Sequence, residues 1–199
     1  MNNDLTCQYV CFDKFKVFNM KDQQQIPLSA IDELLEKLLS EGKVQVHDIC
    51  YLMLNTGLRI AEILDIKFSD IDFTTGILEL KVVKERSNNE KTSVVQLSDK
   101  AMKMLAKTRK KHPKDKYVFQ SRKSNNQVNK EPNSLSRQAV VNTIKQINLH
   151  AEHKLSLNSF RQAYATSYLQ GQLSTGTIID AKNTLKHATV NMTSKYIKK

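Results

Sequence analysis

The chain has 199 residues, 40% of them hydrophobic, and a formal charge of +11. That length suits one sizeable core or a domain with an arm, and no apolar run approaches the roughly 20 residues that cross a bilayer. Five glycines and three prolines are too few for a turn-rich β architecture and favour helices.

No basic stretch followed by an apolar one opens the sequence, so no secretory leader is expected. Cys7, Cys11 and Cys50 are odd in number and lack framework spacing, and read as reduced thiols in a cytoplasmic protein. The charge is concentrated: Lys81 to Lys130 holds fifteen Lys and Arg against four Asp and Glu. Such an imbalance points to a polyanion, above all nucleic acid. The basic residues do not face a strongly apolar helix side, which argues against a membrane-surface role.

In chain order, residues 7–19 read as a strand or extended arm and 21–25 as a polar linker. The stretch PLSAIDELLEKLLSEG carries Ile31, Leu34, Leu35 and Leu38 at helical spacing, with Ser29 as the expected N-cap and Asp32 and Glu33 in the first turn. VQVHDICYLMLNTG is a more buried helix closed by Gly57, and LRIAEILDI begins a short one. SDIDFTTG is turn chemistry. Residues 77–83 and 92–97 read as a hairpin with a long polar tip. Ser98 then caps DKAMKMLAKTRKK, residues 117–119 form a short buried run, and SRKSNNQVNKEPNS is a loop. Helices follow over 134–149, SFRQAYATSYLQ, TGTIIDAKNTLK and TVNMTSKYI. The expected fold class is mainly α with a small antiparallel β-sheet (α+β).

Two arginines sit at the edges of apolar helical runs: Arg59 in NTGLRIAEIL and Arg161 in LNSFRQAYATSYL. Either alone reads as a snorkelling surface residue. Their order along the chain is more telling: Arg59, a lysine-bearing hairpin, Arg161, His187, and then Tyr196 nine residues later. The segments TGLRIAEILDIKFSDID, SFRQAYATSYL and LKHATVNMTSKYI resemble the catalytic domain of the tyrosine recombinases, the phage integrase family. The resemblance runs from about Ile31 to Tyr196; its most specific parts are the box from Thr56 to Glu62 and the His187–Tyr196 gap.

The resemblance implies the tyrosine recombinase catalytic-domain fold over 26–199, preceded by an arm or linker over 1–25. It implies site-specific cleavage and rejoining of double-stranded DNA through a 3′-phosphotyrosyl bond, with no metal, ATP or other cofactor. Arg59 and Arg161 would clamp the scissile phosphate, a task suited to planar, permanently charged forks. Tyr196 would be the nucleophile, its phenol being a poor attacker at neutral pH and an adequate leaving group afterwards. His187 would hydrogen-bond the same phosphate. A hairpin lysine would protonate the departing 5′-oxygen: Lys84 is the choice and Lys91, across the tip, the alternative. Lys91, Lys107, Arg109, Lys110, Lys111, Arg122 and Lys123 are candidates to track the DNA backbone. Arg137 is a candidate to reach a base edge, with a plain surface helix as the other reading.

The sequence departs from the family pattern at three places. Asn158 stands three residues before the second arginine where the family has His, and cannot exchange a proton near pH 7. Gln162 replaces a frequent His, and Lys186 replaces a glycine. Residues 1–25 cannot supply the family's N-terminal helical domain, and only Ile197, Lys198 and Lys199 follow the tyrosine, so a catalytic fragment or a minimal variant is expected. Such a piece would be a monomer alone and would form a tetramer on DNA within the full-length protein. A type IB topoisomerase and a non-catalytic DNA-binding relative are the competing readings.

Overall fold

The structure, a computed structural model, describes residues 16–18, 25–82, 91–122 and 131–172 of the chain. Six helices and five short strands make up these segments, in the order β1 (Lys16–Phe18), β2 (Gln25–Pro27), α1 (Leu28–Ser40), α2 (Val44–Thr56), α3 (Ile60–Leu64), β3 (Ile71–Asp72), β4 (Ile77–Val82), β5 (Lys91–Gln96), α4 (Asp99–Lys111), α5 (Arg137–Ile147) and α6 (Leu157–Gln172). The mainly helical α+β class read from the sequence is what these segments adopt. No described helix is long and apolar enough to cross a membrane.

The first helix forms for the reason its spacing gives. Ile31, Leu34, Leu35 and Leu38 are buried while the other faces carry charge. Its start differs from the expectation: Pro27, not Ser29, is the N-cap, in extended backbone and with no side-chain cap bond. The helix begins at Leu28, directly after strand β2, and Ser29 is an exposed first-turn residue. Strand β1 pairs antiparallel with β2, Val17 opposite Ile26, so part of the predicted arm is strand.

The second helix is apolar on most sides: Val46, Ile49, Cys50, Leu52 and Met53 are all buried, and burial pushes the Cys50 thiol pKa upward. Gly57 ends it in the left-handed region, φ +65°, donating its N–H to Met53 at 3.0 Å. The central sheet has three strands rather than the two expected, in the order β3-β4-β5, all antiparallel. The additional strand is only two residues long, Ile71 opposite Leu78 and Asp72 opposite Ile77, and is disguised in sequence by the turn residues around it. Gly76, at φ +73°, closes the turn between β3 and β4.

Two serine caps fix later helices. The Ser98 hydroxyl accepts from Ala101 N–H at 3.3 Å, as the sequence indicates. Ser136 does the same for Ala139 at 3.2 Å, so α5 begins at Arg137 rather than near 134, and it ends in a single tight turn over Asn148–His150. Of the 117–119 run, Val118 and Phe119 are buried as expected and Tyr117 is half-buried, Val118 donating to the Ile66 carbonyl at 3.0 Å. One core gathers Ile31, Ile49, Ile63, Leu78, Phe119 and Phe160 from six different segments. The helices expected over 175–186 and 189–197, and the hairpin tip, lie outside the described residues.

Candidate functional site

The turn that joins α2 to α3 is built from the box at Thr56 to Glu62. The Thr56 hydroxyl donates to the Leu52 carbonyl at 2.6 Å and accepts from Leu58 N–H at 3.3 Å. Leu58 and Ile60 are buried on either side of Arg59, whose own side chain is about half exposed (49%). Arg59 is the N-cap of α3 and is extended (φ −75°, ψ 150°). Its N–H donates to Glu62 Oε2 at 2.7 Å, and the other carboxylate oxygen lies 3.8 Å from Arg59 Nη1. Glu62 therefore holds the backbone of Arg59 and lies within ion-pair distance of its guanidinium.

The second arginine comes from α6. The helix starts with mutual serine contacts: Ser156 N–H donates to Ser159 Oγ at 3.1 Å, and Ser159 N–H to the Ser156 carbonyl at 2.9 Å. Phe160, Gln162, Ala163 and Ala165 then face the core, which leaves Asn158 exposed and Arg161 half-buried one turn later. Arg161 Nη1 donates to the Gly57 carbonyl. Residues about a hundred positions apart in sequence thus meet at one turn, with Arg59 two residues beyond the contact. Gln162 is only 2% exposed, so this departure from the family pattern lies in the core.

The basic candidates divide. On α4 the buried residues are Ala101 and Leu105, and Arg109 continues that row at i+4. Its guanidinium lies 4.8 Å from the centroid of Phe68 and donates to the Asp115 carbonyl at 3.0 Å. Arg122 donates twice to Asp115 Oδ2, from Nε at 2.9 Å and Nη2 at 2.6 Å. Both arginines thus have partners within the chain. Lys107, Lys110 and Lys111 are exposed on the opposite side of α4, together with Lys103, while the Lys100 ammonium lies 5.1 Å from the centroid of the Tyr51 ring. Helical spacing alone separates Arg109 from these lysines. Arg137 is the exposed first residue of α5. Lys91 opens β5 opposite Val82. Lys84, Lys123, His187 and Tyr196 lie outside the described residues. A shallow concavity between α1 and the 147–153 segment, lined by Glu33, Lys37, Asn148 and His153 among others, includes neither arginine.

The model of the phage integrase family matches residues 21–199. A probable integrase/recombinase of Acholeplasma phage L2 is 26% identical over 158 residues, 79% of this chain and 50% of the relative. Among solved structures, the XerA recombinase has a TM-score of 0.64 at 20% identity, covering 86% of this chain and 58% of that one. The XerH site-specific recombinase, bound to its difH substrate in a pre-cleavage complex, has a TM-score of 0.61 at 17% identity, covering 86% of this chain and 49% of that one. These likenesses show the fold. The chain spans about half the length of the curated relatives it matches.

Proposed function

The chain belongs to the phage integrase family, and on that premise we propose that it is the catalytic part of a site-specific recombinase that cleaves and rejoins double-stranded DNA. The observation that carries the reading is the hydrogen bond from Arg161 to the carbonyl of Gly57, which sets the second arginine against the turn bearing the first. A pair of guanidinium forks at one turn suits a phosphate whose non-bridging oxygens gain charge in the transition state. The surplus of exposed lysines on α4 suits a DNA partner, as does the likeness to a recombinase solved on its DNA.

The roles follow the chemistry. Tyr196 loses its phenolic proton to His187 or to water, its Oη attacks phosphorus, and the bond to the 5′-oxygen breaks. That oxygen takes a proton from Lys84 or Lys91, leaving a 3′-phosphotyrosyl linkage. The linkage keeps the energy of the broken bond, so a 5′-hydroxyl can attack it and reverse the step, with no metal or cofactor entering the balance. His187 and Asn158 donate hydrogen bonds to the phosphate. Asn158, exposed one turn ahead of Arg161, offers a donor that cannot titrate. Residues 26–199 form the catalytic domain and 1–25 the arm, in a cytoplasmic protein that is monomeric alone and tetrameric on DNA in its full-length form.

A duplex nicked beside the cleavage point tests this. The expected result is a covalent adduct that Tyr196→Phe abolishes while DNA binding survives. Loss of one preorganised phosphate donor, Arg161→Ala, slows cleavage about 10²–10³-fold. No adduct on any integration-type site would favour a non-catalytic DNA-binding relative, to which Asn158 gives some support. Adduct formation with relaxation of supercoils, but without joining of two duplexes, would identify a topoisomerase.

A further inference from the structure

Gly57 is gripped twice by α6. Besides the bond from Arg161, the ring of Tyr164 lies over the glycine so closely that a Cβ added there would overlap the ring atoms Cδ1 and Cε1. Tyr164 stands three residues after Arg161, so the two side chains leave the same face of the helix. The contact exists because position 57 lacks a side chain and has a φ of +65°, which other residues rarely adopt.

The position of Arg59 is therefore set from two directions. Glu62 holds its N–H from within α3, and α6 holds the turn two residues earlier at a carbonyl and at a Cα. The Gly57 N–H bond to Met53, the Leu58 N–H bond to Thr56 and the burial of Leu58 and Ile60 hold the turn on its own side, and the Arg161 bond by itself ties it to α6 at one point. The Tyr164 ring against the glycine adds a second point of contact and sets how closely α6 approaches the turn.

We propose that Tyr164 is a positioning residue that fixes the distance and angle of Arg59 relative to Arg161 by clamping Gly57. It acts through the turn and touches no phosphate. The proposal rests on reading the two arginines as a phosphate clamp, in which a displacement of about 1 Å costs about 10²-fold in rate.

The test compares the arginine Nε–Hε resonances of the full chain carrying Tyr164→Phe, Tyr164→Leu or Tyr164→Ala, assigned with Arg59→Lys and Arg161→Lys. Tyr164→Phe keeps the ring and shifts both resonances less than the other two variants do. Tyr164→Leu, which retains enough bulk to fold, and Tyr164→Ala shift or broaden both. In single-turnover cleavage of the nicked duplex at saturating DNA, Tyr164→Phe loses less than Tyr164→Leu and Tyr164→Ala. The other two lose about 10- to 100-fold, with DNA affinity changed less than about 3-fold. An unmoved Arg59 resonance in folded Tyr164→Leu overturns the proposal, as does a loss in Tyr164→Phe equal to that in Tyr164→Leu. Absence of any adduct with the unmodified chain overturns the recombinase reading instead, and the resonances then decide on Tyr164 alone.

Discussion

Arg122 presents Nε and Nη2 to a single carboxylate oxygen of Asp115, at 2.9 and 2.6 Å. Asp115 is held in turn by Gln120, whose Nε2 donates to its other oxygen at 3.1 Å, and its carbonyl accepts from Arg109. This cluster ties the end of α4 to the 115–122 segment. A guanidinium committed in this way adds to stability more than to DNA contact.

The salt dependence of the proposed DNA binding separates the two classes of basic residue. Lys107→Gln with Lys110→Gln should lower the slope of log affinity against log salt by about 1–2, since each phosphate contact contributes roughly 0.9. Arg122→Gln should leave that slope unchanged and cost about 1 kcal/mol in urea unfolding, as expected for a partly exposed ion pair of good geometry. A slope change for Arg122→Gln equal to that of a lysine variant would return it to the DNA-contacting set.

Gly42 and Gly57 allow a paired comparison. Their φ angles are nearly the same, +67° and +65°, but an added Cβ meets nothing within 4 Å at Gly42 and the Tyr164 ring at Gly57. Gly42→Ala should therefore cost only the left-handed strain, about 1–2 kcal/mol. Gly57→Ala should add an overpacking penalty of about 1–3 kcal/mol. Combining Gly57→Ala with Tyr164→Ala should remove most of that second part. Equal losses for the two alanine variants in urea titrations would show that the ring moves aside freely.

Much of this architecture could be read from local pattern. The i, i+3, i+4, i+7 row of α1, the Ser98 cap and the Gly57 stop are short-range signals, and the structure follows them. The misreadings come from competition between local cues or from non-local pairing. Ser29 resembled a cap, but β2 runs directly into the helix and Pro27 occupies that place. Strand β3 is two residues of turn-like sequence that extend only because β4 lies beside them. For the site, the order of the arginines was legible through a family spacing. The clamp of Tyr164 on Gly57 was not, because the contact closes over a hundred positions. The packing of the exposed Arg109 over Phe68 was available from its i, i+4, i+8 relation to Ala101 and Leu105, and composition alone hid it.

Asn148 secures the approach to α6. Its side chain is buried, and Nδ2 donates to the Leu155 carbonyl at 2.6 Å, across the 149–154 segment. Asn148→Leu leaves that carbonyl without its donor, which should cost about 1–3 kcal/mol. The effect should appear as a lowered urea midpoint with an unchanged slope. Cleavage at saturating DNA should be nearly normal at low temperature, because the arginines keep their own contacts. A variant as stable as the unmodified chain would mean that removing the buried Asn148 Oδ1, which has no hydrogen-bond partner among the described residues, offsets the lost bond.

Asp72 gives the fold a dependence on acid. The Thr75 hydroxyl donates to Oδ2 at 2.6 Å, and the N–H groups of Thr74 and Thr75 donate to Oδ1 at 2.8 and 3.3 Å. These bonds, the Thr75 hydroxyl foremost, hold the carboxyl pKa below its ordinary value of 3.8. A carboxyl with a depressed folded-state pKa binds its proton more readily when unfolded. Its stabilisation is thus complete above the ordinary value and is lost as pH falls through the lower, folded-state one. Asp72→Asn retains an oxygen for the Thr74 N–H but cannot titrate. It should lower the urea midpoint slightly at pH 6 and lose less on going from pH 5 to pH 2 than the unmodified chain does. Parallel pH profiles for the two chains would show that other carboxylates govern the acid limb.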